Sequence, residues 1–154
     1  MTTLPADLAI YPLTLYYDGA CPMCRAEMHN LMLRNTGALL EFVDISAPGF
    51  KGQPPGVTPQ DLMALLHARR ADGAVIQGVE VFRLAYAAAG LGWVSDFISL
   101  PVIGAAAERL YPWIARYRQR IPKRLLQLAF ETAARRAAAR AQARQCKAGD
   151  ACRL

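Results

Sequence analysis

Leu13-Thr14-Leu15-Tyr16-Tyr17 is an apolar, β-branched and aromatic run that stops at Asp18-Gly19. That is the pattern of a short buried strand with its turn. A helix is predicted from Pro22 to about Asn35, with Cys24, Met28, Leu31 and Met32 at helical spacing as its inner face and Arg25, His29 and Arg34 elsewhere. Proline suits the first helical position, where its missing N–H has no partner to lose. Leu39 to Ile45 reads as the next strand, and Ala47 to Val57, with three prolines and three glycines, as a loop. Thr58-Pro59-Gln60-Asp61 opens a short helix with Thr58 as its cap. Leu65–Arg70 and Ala74–Gln77 flank Ala71-Asp72-Gly73 as a hairpin. Val79, Phe82, Tyr86 and Ala89 mark a helix that ends at Gly90. Beyond Leu91 the pattern is helical. Pro101–Tyr111 carries Ile103, Ala106 and Leu110 on one side, Pro112 is expected to kink or restart the helix, and Lys123–Lys147 is rich in Ala and Arg.

Strand, helix, strand within about thirty residues is a βαβ unit, which brings its strands parallel. The order βαβ then ββα is that of a minimal thioredoxin-like domain: α/β, with a four-stranded mixed sheet and a helical C-terminal extension. The expected division is a lead-in over 1–12, the thioredoxin-like domain over 13–92, a helical extension packed on it over 93–122, and a basic tail over 123–154.

An apolar content of 54% is ample for one core in 154 residues. Charge sharpens the division. Of the net +6, the whole excess lies in residues 123–154, where eight Lys/Arg face Glu131 and Asp150; residues 1–122 balance ten basic against ten acidic groups. An anionic partner would therefore meet the tail. Met1 to Tyr17 has no Lys or Arg and no long apolar run, so it does not read as a secretory signal. No stretch approaches the roughly 20 apolar residues of a transmembrane span. The expected location is cytoplasmic, where cysteines are reactive or metal-binding more often than structural.

Cys21-Pro22-Met23-Cys24 sits where the first helix begins. Thiol–disulfide exchange needs a thiolate, and a helix N-terminus offers unpaired amides and the positive end of the macrodipole to hold one. Cys21 is expected to attack from the helix start, and Cys24, one turn below and shielded, to resolve the mixed disulfide. Pro22 fixes the first turn, and Met23 adds a soft apolar surface for a partner. Asp18 can take the proton of Cys24, raise the thiol pKa by repulsion, or cap the turn through its side chain. The sequence leaves all three open. The competing reading of Cys21 and Cys24 is two small buried apolar residues, but strand, turn, Pro22 and helix in this order favour redox chemistry. Such exchange runs on sulfur alone, with no organic cofactor, and its partners are protein or small-molecule thiols and disulfides.

Tyr17-Asp18-Gly19-x-Cys21-Pro22-x-Cys24, then Phe42-Val43-Asp44-Ile45, Leu66-His67-x-Arg69, Asp72-Gly73, Gln77-Gly78 with Phe82, and Trp113-Ile114-Ala115-Arg116 resemble the DCC family of predicted thiol–disulfide oxidoreductases. The resemblance covers roughly residues 13 to 120. It implies a thioredoxin-like fold, Cys21 and Cys24 as redox pair, Asp18 as the motif acid, and no particular substrate. Better-known thioredoxin relatives carry a cis-proline facing the disulfide before the hairpin, whereas this chain has no proline between Pro59 and Pro101.

Two readings from other classes compete. Cys21, Cys24, Cys146 and Cys152 could make a zinc site, although the five residues between Cys146 and Cys152 exceed the usual two to four and no histidine lies near them. The last two cysteines could also form a relay disulfide or simply an exposed tail. A non-catalytic adaptor could use Arg136, Arg140 and Arg144, which share one helix face; without interleaved aromatics this face predicts no specific nucleic-acid site. His29 is expected to face solvent and His67 to lie in a strand, while Trp93 and Trp113 read as packing residues.

Overall fold

A computed structural model describes residues 9–117 and Arg120. The strands are β1 (Leu13–Tyr17), β2 (Leu40–Asp44), β3 (His67–Arg69) and β4 (Val75–Gln77). The helices are α1 (Pro22–Arg34), α2 (Pro59–Ala64), α3 (Val79–Ala88), α4 (Gly92–Ile98) and α5 (Pro101–Tyr117). The sheet runs β2-β1-β3-β4, with β1 parallel to β2 and antiparallel to β3, and β3 antiparallel to β4. This is the expected α/β arrangement with a four-stranded mixed sheet, consistent with a thioredoxin-like fold.

Leu13 and Leu15 of the central strand are fully buried and join Met28 and Leu31 of α1 with Val81, Leu84 and Ala85 of α3 in one core. The α2 cap forms as read: the Thr58 hydroxyl accepts from the Asp61 amide, and the Asp61 carboxylate accepts from the Thr58 amide. The hairpin turns at Asp72-Gly73, with shorter strands than the sequence suggests.

The helical faces need three corrections. In α1 the buried positions are Glu27, Met28, Asn30 and Leu31, and Met32 is 40% exposed. Two polar side chains are accommodated by partners, Tyr86 for Glu27 and Arg34 for Asn30, so the buried face is rotated away from Met32. In α5 the inward positions are Ile103, Ala107, Tyr111 and Ala115, leaving Leu110 exposed. Alanine-rich stretches mark no face by hydrophobicity, so Tyr111 and the small Ala115 decide the orientation. The same helix runs through Pro112 without restarting, anchored on either side of the missing amide by Tyr111 and the buried Ala115. Trp93 and Trp113 are 71% and 63% exposed, not packing residues; Trp113 meets only the ring of Tyr117 among the aromatic pairs of the described residues. No helix among the described residues is long and apolar enough to cross a membrane.

Candidate redox site

The carboxyl end of β1 delivers the motif. Parallel pairing sets Tyr17 beside Asp44, so the end of β2 stands next to the turn that follows β1. Asp18 is buried. Its Oδ1 accepts the Ala20 amide at 3.0 Å, and its backbone carbonyl accepts the Cys21 amide at 3.1 Å. In this structure the Asp18 side chain thus closes the turn, one of the three roles open to it.

Gly19 donates its amide to Asp44 Oδ1 at 2.9 Å, and a Cβ at this position would stand 2.1 Å from Asp44 Oδ2. Only a residue without a side chain lets the two segments approach this closely. Asp44 Oδ1 also accepts from the Ser46 amide and hydroxyl at 2.8 and 2.6 Å. Burial pushes this carboxyl up, but the bonds from Ser46 and Gly19 outweigh it and hold the pKa below the usual value. The sequence reading missed Asp44 as a support. Its signal was the equivalent end position on the adjacent parallel strand.

Cys21 is the N-cap of α1 with extended backbone, Pro22 follows at the first helical position, and Cys24 lies within the first turn. The two cysteines lie close together as thiols. Their accessibilities reverse the expectation. Cys21 is only 1% exposed, while Cys24 is half-buried and forms part of a cavity wall. The cap residue turns its side chain back into the protein, and the helix turns Cys24 outward toward α3 and α5.

That cavity has a volume of about 200 Å³. Met23, Cys24, Glu27 and Met28 of α1 form one wall, with Leu66, Phe82, Tyr86, Tyr111, Ile114 and Ala115 completing it. The lining is predominantly apolar. Phe82 packs edge-on against Tyr111, ring centroids 5.6 Å apart, and stacks on Tyr86 at 6.3 Å. The Tyr86 hydroxyl donates a hydrogen bond to Glu27 Oε1. Burial raises the Glu27 pKa, against the lowering effects of Tyr86 and Arg34, and burial likewise raises the Tyr86 pKa, reinforced by Glu27. The sequence reading also missed this pair. Glu27 follows Cys24 by three residues, a spacing that puts both on one helix face.

Neither histidine lines the cavity. His29 is exposed, and His67 is buried in β3 with Nδ1 3.0 Å from the Leu65 carbonyl oxygen. Among the described residues no group of three or more His, Cys, Asp or Glu is placed to hold a metal. Cys146, Cys152, Arg136, Arg140 and Arg144, on which the zinc and adaptor readings depend, lie outside the described residues.

Comparison with known proteins places this geometry. An uncharacterized chloroplastic protein of Arabidopsis thaliana is 36% identical over 116 residues, covering 74% of this chain. The chain spans about half the length of that curated relative, 54%. No solved structure matches this chain. The family model for DCC1-like thiol-disulfide oxidoreductases matches residues 15–124, from β1 past the end of α5 and including both cysteines. This chain belongs to the DCC1-like thiol-disulfide oxidoreductase family.

Proposed function

We propose that this protein exchanges electrons with thiols and disulfides through the Cys21–Cys24 pair, cycling between dithiol and intramolecular disulfide. The observation that carries the reading is the closeness of two thiols in the opening turn of α1, on a turn that Asp18 and Asp44 fix. The amides and dipole that open a helix favour a thiolate in that turn. Family membership supports the same chemistry.

The division of labour follows access. Cys24 meets the incoming partner because it stands at the cavity wall, and the deeper Cys21 completes the exchange. This departs from the roles assigned on spacing alone, which required Cys21 to be the accessible thiol. Asp18 acts by positioning Gly19, Ala20 and Cys21, and Pro22 and Met23 shape the first turn. The proposed setting remains cytoplasmic.

The test is a redox titration of the whole chain in glutathione buffers, with Cys21–Cys24 disulfide quantified after acid quench by peptide mapping. The expected result is a two-electron transition within the span of known exchange proteins, about −270 to −120 mV, absent from C21S and C24S. Failure to form the Cys21–Cys24 disulfide at any poise would overturn the proposal.

A further inference from the structure

The geometry points to the cavity beside Cys24 as a substrate site for a compact, uncharged disulfide, or for the thiols it yields, in preference to an extended peptide. The inference rests on the exchange chemistry proposed above and adds the substrate class.

Four observations carry it. The cavity is small: about 200 Å³, below the roughly 300–1,000 Å³ of sites for drug-sized ligands. Its walls suit sulfur. Met23, Met28, Phe82, Tyr86 and Tyr111 surround the space next to Cys24, and polarizable sulfur packs favourably at aromatic edges. The polar feature in the wall, the Glu27–Tyr86 pair, is already internally hydrogen-bonded, and among the described residues no lysine or arginine lines the space to receive an anion. Charged ends such as those of glutathione would lose hydration there without a counter-charge.

The fourth observation concerns backbone. Extended peptides dock by main-chain hydrogen bonds along a strand. Leu66 immediately precedes β3 and lies in the cavity wall, the place where such a peptide would pair. Its amide donates to Tyr111 Oη at 2.9 Å, and its carbonyl accepts the Gly78 amide at 2.9 Å. Both main-chain groups are therefore engaged within the fold.

The exchange balances on sulfur. Cys24 gives its proton to solvent and, as thiolate, attacks one sulfur of R–S–S–R, forming Cys24–S–S–R and releasing RS⁻, which takes a proton from solvent. Cys21 then gives up its proton and attacks Cys24 Sγ, closing the Cys21–Cys24 disulfide and expelling the second RS⁻, which is protonated in turn. The protein loses two electrons and two protons, and the disulfide gains both.

Single-turnover oxidation of the reduced full chain tests this with diethyl disulfide, oxidised glutathione and a disulfide-linked peptide. Each rate is divided by that of dithiothreitol with the same reagent, which removes intrinsic reactivity. The expected outcome is a normalised preference of at least tenfold for diethyl disulfide, and at least threefold protection of Cys24 from iodoacetamide by the inert dipropyl sulfide. Equal normalised rates, a preference for the peptide, or no protection would overturn the inference. If the Cys21–Cys24 disulfide still forms in glutathione buffers, the exchange function stands and the substrate class alone falls. If it forms in none, both fall.

Discussion

The phenol oxygen of Tyr111, in α5, accepts the amide of Leu66 at 2.9 Å across 45 residues of chain. One hydrogen bond thus fastens the last described helix to the segment just before β3, in the wall of the cavity that contains Cys24. Tyr111→Phe keeps the edge-on ring contact with Phe82 and leaves the Leu66 amide without this acceptor. A part-buried hydrogen bond of this kind contributes about 1 kcal/mol. The expected loss is roughly 3–6 °C in Tm for a domain of this size. Release of the amide should also raise the normalised rate with a peptide disulfide, read in the same assay as above. An unchanged Tm together with an unchanged peptide rate would show that this bond neither holds α5 nor closes the backbone to substrate.

Gly19→Ala sets a methyl group against the Asp44 carboxylate, which three hydrogen bonds hold in place. Either the carboxylate swings away and gives up these bonds, or the turn carrying Asp18 and Cys21 moves. Losing two or three net hydrogen bonds costs about 1–3 kcal/mol. Urea unfolding should show that loss, and the redox midpoint of the cysteine pair should shift because its turn is displaced. Asp44→Ala tests the same contact from the other side. If Gly19→Ala restored nothing of its lost stability in the D44A background, the clash would not be the cause.

The sheet and the cysteine motif were legible because local signals agreed with the tertiary arrangement. The β1 run ends at Asp-Gly, Pro22 opens α1, and Thr58 with Asp61 opens α2, each by chemistry confined to a few residues. What escaped depends on contacts between distant segments. Met32 has the same hydrophobic character as Met28, yet the partners supplied by Tyr86 and Arg34 allow Glu27 and Asn30 to occupy the buried face. Spacing correctly brought Cys21 and Cys24 together but carried no information on which is covered. That is set by how the chain turns at the cap and by where α5 lies, and nothing local in Tyr111 announces its bond to Leu66.

Glu27 is expected to make stability depend on pH. Burial raises its pKa in the folded protein above the ordinary value of 4.5, so the folded state keeps a proton that the unfolded chain releases. The contribution is full below about the unfolded pKa and is lost as pH rises through the raised folded value. The sign is therefore destabilising with increasing pH, from near 4.5 upward. Glu27→Gln retains a partner for the Tyr86 hydroxyl and removes the ionisation. Its Tm should gain on the wild type progressively from pH 4.5 through the raised value and then level off. Melts at half-unit intervals from pH 4 to 8 check this, and two parallel curves would dismiss Glu27 as the titrating group.

The order in which the thiols react follows from their burial. Cys21 is 1% exposed, so a reagent reaches it only through local opening of the chain around the start of α1, whereas Cys24 already meets the cavity. Each 1.4 kcal/mol needed for that opening slows modification tenfold. Brief treatment of the reduced native protein with iodoacetamide at pH 7 should therefore label Cys24 at least tenfold faster than Cys21, by quantitative peptide mass spectrometry. In 6 M guanidinium the bias should shrink to within about threefold, because burial no longer separates the two. The comparison also removes the alternative that Cys24 is simply the more acidic thiol: the native bias should persist from pH 7 to 9, where both groups gain thiolate. Preferential labelling of Cys21 in the native protein would return the attacking role to the cap position and make opening of the first turn, not access through the cavity, the step that admits substrate.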